Sequence, residues 1–158
     1  MRLKSRLFAA DSLGMSTTAT PEILLADDNP ADVDLIREVL TASTRTTHLH
    51  MVADGEAAIA FLRGKGKFAG SPRPDLMILD LNLPRKDGRA VLAEIKRDAN
   101  LHTLPVVVFT TSQSTHDMNH CYELGAIRYV SKPGNWRDFT LAVRSIEEFW
   151  FAFASQVY

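Results

Sequence analysis

Short apolar runs alternate with longer segments of helical period from residue 21 to the end of the chain, and this alternation restricts the fold more than any other feature. Such alternation is typical of a parallel β-sheet covered by helices. The apolar runs that predict strands lie at residues 23–26, 49–52, 76–79, 106–109 and 127–130. Because the first, third and fourth runs are apolar on both faces, we expect them in the middle of the sheet, with the other two at its edges.

Helices are predicted between these runs. Pro30 suits the first turn of a helix that Asp28 or Asn29 would cap. The other helices are expected at residues 56–63, 89–97 and 117–124, and from Trp136 to near the end of the chain. The glycines and the proline of residues 64–72 predict a flexible loop. Its Gly-Lys-Gly stretch lacks the spacing of a phosphate-binding loop.

The last helix carries a continuous apolar stripe. Its residues recur at spacings of three and four and are expected to pack on the sheet: Trp136, Phe139, Val143, Ile146, Trp150 and Phe153. A second apolar set falls off this stripe: Phe149, Phe151, Ala152 and Tyr158. The end of the helix is therefore apolar on more than one side, and something else should cover the second side.

Size, charge and cysteine content narrow the class of protein. A chain of 158 residues with 46% apolar composition fits one domain, and we expect residues 1–20 to be a flexible leader and residues 21–158 the domain. The formal net charge of -1 offers no basic field for nucleic acid or an anionic membrane. The single Cys121 cannot form an internal disulfide, and no apolar run approaches the roughly 20 residues that span a bilayer, so a cytoplasmic location is expected. Both Met1 and Met15 could be the start of translation.

Polar side chains follow four of the predicted strands. Asp27 and Asp28 come directly after the first strand, and Asp80 follows the third. Because the carboxyl ends of parallel strands share one rim of a sheet, these carboxylates should converge, and their repulsion calls for a hard cation such as Mg²⁺ or Mn²⁺. Thr110 and Lys132 follow the fourth and fifth strands and should reach the same rim.

This set of side chains suits phosphoryl transfer. A carboxylate nucleophile needs its charge shared by a metal and a lysine, with a hydroxyl to hold a phosphoryl oxygen. Each residue alone has an ordinary explanation: an aspartate can cap a helix, a lysine can be solvated, and a threonine can belong to a turn. Five such residues at the carboxyl ends of strands in one sheet are much harder to explain in that way.

From Glu22 to about Trp150, the chain resembles the receiver domain of two-component response regulators. The matching motifs are Asp27-Asp28, Leu79-Asp80-Leu81-Asn82-Leu83-Pro84, Asp87-Gly88, Thr110, Tyr129 and Lys132-Pro133. The resemblance implies an α/β fold of the flavodoxin-like, CheY-like type. Its sheet is doubly wound, five-stranded and parallel, with strand order 2-1-3-4-5 and five helices.

The resemblance also implies a role for each matched residue. Asp80 would accept a phosphoryl group from a histidine kinase, and Thr110 and Lys132 would hold the phosphoryl oxygens. The implied metal ligands are Asp27, Asp28, Asp80 and the backbone carbonyl of Asn82. Tyr129 would act as a switch that reshapes a protein-binding surface. The peptide bond between Lys132 and Pro133 would be cis.

The same resemblance indicates partners. No output domain follows the receiver pattern, so output by protein contact is expected. The segments 27–32 and 145–150 resemble small regulators that pair with phytochrome-type histidine kinases (bacteriophytochromes). Members of that group dimerise through an extended C-terminal helix, which implies a homodimer here. The chain would be a phosphoacceptor, not an enzyme beyond catalysing its own phosphorylation and dephosphorylation.

Two other functions stay open at this point. One is a magnesium-dependent phosphatase for small molecules, which would need a general acid, but Asn82 stands two residues after Asp80 where a second aspartate could serve. The other is a binding module that never uses its phosphorylation site.

Three further features receive ordinary explanations. His116 and His120 have the spacing of a zinc pair without a third ligand, so a solvated helix face is the better interpretation. Cys121 is expected to pack as a small apolar residue. The alternating His48 and His50 are expected to be exposed on an edge strand.

Overall fold

The computed structural model describes residues 19–157, without the side chain of Val157. Most of the predicted leader and the predicted apolar residue Tyr158 therefore lie outside the described residues. Within residues 19–157, no helix is both long and apolar enough to cross a membrane.

One parallel sheet forms the centre of the fold. Its strands are β1 (Glu22–Ala26), β2 (His48–Val52), β3 (Leu76–Leu79), β4 (Val106–Thr110) and β5 (Arg128–Ser131). They are ordered β2-β1-β3-β4-β5, and every neighbouring pair is parallel. The apolar strands β1, β3 and β4 occupy the middle, so the predicted strand order and the predicted edges are confirmed. Strands this apolar are stable only when helices cover both faces of the sheet.

Five α-helices are present in the described residues, of which four connect the strands and the fifth follows the last strand. They are α1 (Pro30–Ala42), α2 (Gly55–Arg63), α3 (Gly88–Arg97), α4 (Thr115–Glu123) and α5 (Trp136–Val157). Asn29 caps α1, as one of the two predicted candidates, because its side-chain oxygen accepts a hydrogen bond from the Asp32 N–H at 3.1 Å. The predicted loop after α2 contains one 3₁₀ turn, Gly66–Phe68.

The helices cover the sheet in two layers. Alternate residues of β1 face opposite sides, so Leu24 joins the core beneath α2, α3 and α4, while Ile23 and Leu25 join the core beneath α1 and α5. Both cores consist of residues with almost no exposed surface. Because helices cover both faces of the sheet, we expect the functional polar side chains at the ends of the strands.

Four of the six residues of the predicted apolar stripe of α5 are buried, and Phe153 is half-buried against the same core. Phe139, Val143, Ile146 and Trp150 are each at most 4% exposed, but Trp136 is 70% exposed. The prediction for Trp136 is wrong because this residue opens the helix, and contact with the core begins one turn later, at Phe139.

The second apolar set of α5 is partly covered within the chain itself. Phe149 and Phe151 are half-buried at the edge of the core. The guanidinium of Arg128 lies 5.0 Å from the centre of the Phe149 ring, and that of Arg45 lies 4.7 Å from the Phe151 ring. Such cation–π contacts shield an aromatic face while leaving its edge accessible.

The Lys132–Pro133 peptide bond is trans, since no peptide bond in residues 19–157 is cis. The predicted cis bond is therefore wrong. The trans form is the more stable one by about 0.5–1 kcal/mol even before proline, and from it the Lys132 side chain still reaches the carboxyl ends of the strands.

Candidate functional site

Three carboxylates meet where β1 and β3 end. Asp27 and Asp28 follow β1, and Asp80 follows β3, which pairs with β1 so that Ala26 lies opposite Leu79. One carboxylate oxygen from each aspartate lies within 4.8 Å of the other two. Asp27 and Asp80 are buried and Asp28 is exposed. The predicted convergence of these residues is confirmed, and it follows directly from the register of two adjacent strands.

The ammonium group of Lys132 lies among the carboxylates. Its Nζ atom donates to Oδ2 of Asp27 at 2.7 Å, to Oδ2 of Asp32 at 2.8 Å and to Oδ2 of Asp80 at 3.0 Å. An ammonium group has three hydrogens, so each can serve one carboxylate. The Lys132 side chain is only 3% exposed, and a charge buried to that extent is tolerable only when it is paired in this way.

Burial and hydrogen bonding shift the pKa values of the charged groups at this site in opposite directions. Burial raises the pKa of the Asp27 carboxyl, and the hydrogen bond from Lys132 offsets this only in part. For Lys132, burial alone would lower the pKa, but the hydrogen bonds to Asp27 and Asp32 outweigh it, so the pKa is raised. Lys132 is therefore fully protonated near neutral pH and carries the positive charge of the site.

Asp32 is a site residue that sequence reasoning did not identify. It lies in the first turn of α1, where the Asn29 cap fixes its backbone. One signal could have revealed it: α1 begins only four residues after β1 ends. An acid in the first turn of that helix therefore lies at the same rim as the strand-end carboxylates.

The two remaining rim residues are positioned by the backbone. Thr110 ends β4 and is completely buried, and its carbonyl accepts a hydrogen bond from the Lys132 N–H at 2.6 Å. Asn82 is exposed, and its N–H donates to Oδ1 of Asp80 at 3.3 Å. Thr110 and Asn82 thus contact Lys132 and Asp80 through backbone atoms, so both lie at the predicted rim. The roles of the Thr110 hydroxyl and the Asn82 carbonyl stay predictions.

Comparison with known proteins decides the family. A model described as the response regulator receiver domain matches residues 23–144. The chain belongs to the response regulator receiver family. The match covers all five strands of this receiver except Glu22 at the start of β1, and it covers every residue of the site just described.

Individual relatives agree with this assignment. The receiver is 48% identical over 138 residues to response regulator Rcp1 of Synechocystis sp., with 86% of this chain and 94% of the relative covered. It is also similar to two solved structures. The phosphorylated cyanobacterial phytochrome response regulator RcpA is 47% identical with a TM-score of 0.82, covering 85% of this chain and 96% of RcpA. The Mn²⁺-bound form of Rcp1 is 48% identical with a TM-score of 0.80, covering 82% and 94%.

The loop after β3 folds tightly against Asp80. A Cβ atom on Gly88 would lie 2.3 Å from the carbonyl oxygen of Asp80 and 2.6 Å from the Cα of Leu81. The Gly88 N–H instead donates to the Leu81 carbonyl at 2.8 Å. The Asp87-Gly88 motif therefore has a steric cause, because only glycine permits this close approach.

Tyr129 on β5 contacts the loop that follows β4. Its hydroxyl donates to the Ser112 carbonyl at 3.0 Å, and its ring is half-buried. The Ser112 hydroxyl in turn donates to Oδ2 of Asp117 at 2.7 Å. The predicted switch residue thus contacts the segment between Thr110 and α4.

A bidentate ion pair between Arg89 and Asp117 joins α3 to the start of α4. Arg89 in α3 donates through Nε and Nη2 to the two carboxylate oxygens of Asp117, at 2.9 and 2.7 Å. These bonds, together with that from Ser112, hold the pKa of Asp117 well below its usual range. Sequence reasoning did not predict this pair, because nothing in the sequence links residues on two different helices.

Two pairs of histidines differ in their surroundings. His116 and His120 stack at a centroid distance of 6.2 Å, and in residues 19–157 they belong to no group of three or more residues that could hold a metal ion. His48 and His50 both hydrogen-bond the carboxylate of Glu22, at 3.1 and 2.7 Å. The expected exposure holds for His48, whose side chain is 59% exposed, but not for His50.

Cys121 packs in the core as predicted. It is completely buried, and burial raises the pKa of its thiol to about 11. A thiol that stays protonated in this way is a poor nucleophile.

Proposed function

We propose that this receiver accepts a phosphoryl group from a sensor histidine kinase onto Asp80, in a reaction that requires Mg²⁺ or Mn²⁺. The observation that carries the proposal is the buried carboxylate of Asp80. It belongs to a group of three carboxylates whose oxygens lie within 4.8 Å of one another, close enough to share one metal ion, and the Lys132 ammonium lies 3.0 Å from it. A carboxylate nucleophile needs both neighbours, because each reduces repulsion between the incoming phosphoryl oxygens and the nucleophile.

The donor set fits a hard divalent cation. Asp27, Asp28 and Asp80 offer only oxygen ligands, and the exposed Asp28 leaves one side of the group open to water. Mg²⁺ prefers carboxylates together with several retained waters. These three residues and the backbone carbonyl of Asn82 would hold the ion, which supplies positive charge at the transferring phosphoryl group.

The chain's own residues then perform the transfer. A carboxylate oxygen of Asp80 forms a bond to phosphorus while the phosphorus–nitrogen bond to the kinase histidine breaks and the imidazole departs. Lys132 exchanges its hydrogen bond to Asp80 for one to a phosphoryl oxygen, and the Thr110 hydroxyl holds another. Phosphoryl transfer is accelerated mainly by positioning the reacting groups and by neutralising the charge of the phosphoryl oxygens, and these residues do both.

The partner kinase is proposed to be a phytochrome-type histidine kinase. Support comes from RcpA, a cyanobacterial phytochrome response regulator, and from the bacteriophytochrome response regulator RtBRR, which is 32% identical with a TM-score of 0.68.

The receiver then catalyses only its own phosphorylation and dephosphorylation and acts on a downstream protein through the surface near Tyr129. A cytoplasmic location stays a prediction.

A homodimer through α5 is part of the proposal. The half-buried Phe149 and Phe151 lie beside the exposed Ala152 near the end of this helix, and a second copy of the helix would complete their burial. Light scattering should give the mass of a dimer. Ala152→Glu should yield a monomer, whereas Arg137→Glu at the exposed start of the helix should not. A monomer at all wild-type concentrations would contradict the dimer.

Intact-mass spectrometry tests the phosphoacceptor assignment. The receiver is incubated with phosphoramidate and Mg²⁺, alongside Asp80→Asn and a metal-free control. We expect the mass of one phosphoryl group to appear only in the wild type with metal. Folded wild-type protein that gains no mass would contradict the proposal, and a gain in Asp80→Asn would assign the phosphoryl group to another residue.

A further inference from the structure

Lys132 has three carboxylate partners, and only two of them have a function in the transfer described above. Asp27 and Asp80 belong to the metal-binding group, and Asp80 also accepts the phosphoryl group. Asp32 does neither, since its carboxylate is not part of the group whose oxygens lie within 4.8 Å of one another. Its hydrogen bond to Lys132 is nevertheless nearly as short as that of Asp27, at 2.8 Å against 2.7 Å.

The three hydrogen bonds of Lys132 respond differently to the reaction. Metal binding draws on the carboxylate of Asp27, whose Oδ2 is the atom that binds Lys132. Phosphorylation converts the Asp80 carboxylate into an acyl phosphate, so the negative charge moves from the carboxylate to the phosphoryl oxygens. The bond to Asp32 is the one that neither event changes. It can therefore hold the ammonium group while its other two partners are engaged elsewhere.

The position of Asp32 is fixed by local backbone geometry. The Asn29 N–H donates to Oδ1 of Asp27 at 2.9 Å, and the Asn29 side chain accepts from the Asp32 N–H at 3.1 Å. Pro30 fixes the first turn of α1 between them. The Asp32 carboxylate is only 23% exposed, which strengthens a charge-assisted hydrogen bond relative to one in water.

We propose that Asp32 is a positioning residue that keeps the Lys132 ammonium directed at the phosphoryl group when the metal is bound. This inference rests on the proposed phosphoryl transfer to Asp80. Without the Asp32 charge, the metal-bound site leaves Lys132 with fewer partners and lets its flexible side chain turn away. Loss of one charge-assisted hydrogen bond corresponds to a decrease of about tenfold in the rate of phosphorylation at saturating Mg²⁺.

Kinetics of phosphorylation by phosphoramidate form the first test. Asp32→Asn keeps the size of the side chain and should slow phosphorylation about tenfold. Asp34→Asn is the matched control, because Asp34 lies in the same helix, is exposed and pairs with Arg37 outside the site. In a Lys132→Ala background, Asp32→Asn should change the rate less than about twofold. An equal loss in both backgrounds would overturn the inference, since Asp32 would then act without Lys132.

Chemical labelling of Lys132 gives a second readout that needs no phosphorylation. Acetylation by acetic anhydride, followed by peptide mass spectrometry, reports how firmly the ammonium is held. With Mg²⁺ bound, Lys132 should be acetylated about tenfold faster in Asp32→Asn than in wild type or in Asp34→Asn. Equal labelling rates would overturn the inference. If the wild type resists labelling through Asp32 but accepts no phosphoryl group, the phosphoacceptor assignment fails while Asp32 still positions Lys132.

Discussion

The Nζ atom of Lys132 lies 3.0 Å from Oδ2 of Asp80, although 52 residues separate them in the chain. The two residues follow β5 and β3, which are not neighbours because β4 lies between them. The lysine side chain therefore spans the end of β4, where Thr110 lies. This reach lets a single cation neutralise carboxylates that belong to the ends of two other strands.

Replacing Lys132 by an uncharged residue should destabilise the protein, because the buried carboxylates would then repel one another. In Lys132→Met, the buried Asp27 and Asp80 lose their shared partner, so the free energy of unfolding without divalent metal should fall by about 3–5 kcal/mol. Saturating Mg²⁺ should restore part of this loss, because the ion supplies the missing positive charge. Urea unfolding with EDTA and with Mg²⁺ measures both effects.

The control for this substitution is Lys96→Met. Lys96 is exposed and donates to the Glu123 carbonyl, away from the acidic cluster, so its loss should cost less than about 1 kcal/mol and show no dependence on Mg²⁺. If Lys132→Met were as stable as Lys96→Met in EDTA, the buried carboxylates would not depend on the lysine for their stability.

Gly88→Ala should disrupt the loop that holds Asp80. The added Cβ would lie 2.3 Å from the Asp80 carbonyl oxygen, which is a backbone atom and cannot move without displacing Asp80, the proposed phosphoacceptor. A loss of about 2–3 kcal/mol in unfolding free energy and a slower phosphorylation are expected. At Gly134, where an added Cβ has no heavy atom within 4 Å, the same substitution should leave both quantities unchanged. Thermal unfolding and phosphoramidate kinetics would separate the two variants.

The strand-end residues could be predicted from the sequence because a single physical rule places them. A residue that follows a buried parallel strand must lie at the carboxyl rim of the sheet, and Asp27, Asp80, Thr110 and Lys132 all do so. The order of the strands was equally accessible, since apolarity on both faces distinguishes central strands from edges.

Side-chain partners between separate elements could not be predicted in that way. The contact of Asp32 with Lys132 depends on where α1 begins, and the pairing of Arg89 with Asp117 depends on how α3 lies beside α4. Helical period likewise identifies a face of α5 but not the turn at which that face meets the core, which is why Trp136 was assigned to the core.

The Arg89–Asp117 pair should contribute to stability in a pH-dependent way. The hydrogen bonds from Arg89, and then that from Ser112, lower the pKa of Asp117 in the folded protein below its value of 3.8 in the unfolded chain. The contribution is therefore fully present above the unfolded pKa and is lost as pH falls below it through the folded pKa. Asp117→Asn should lower the unfolding free energy by about 1 kcal/mol at pH 7.

Denaturant unfolding of wild type and Asp117→Asn between about pH 2 and 7 checks this dependence, since the difference should be constant above about pH 5 and shrink toward lower pH. Asp34→Asn serves as the control, because its exposed pair with Arg37 should contribute little at any pH. A difference between wild type and Asp117→Asn that grows on acidification would show that the carboxylate is not stabilised in its ionised form.

The two tryptophans of α5 provide the sharpest test of how this helix packs. Trp150 is completely buried in the core beneath α1 and α5, whereas Trp136 is 70% exposed on the same helix. Trp150→Ala should cost about 3–5 kcal/mol through loss of burial and creation of a cavity, and Trp136→Ala should cost less than about 0.5 kcal/mol. Urea unfolding monitored by circular dichroism measures both. If Trp136→Ala were as destabilising as Trp150→Ala, the first turn of α5 would have to pack against the core, as the apolar stripe alone suggested.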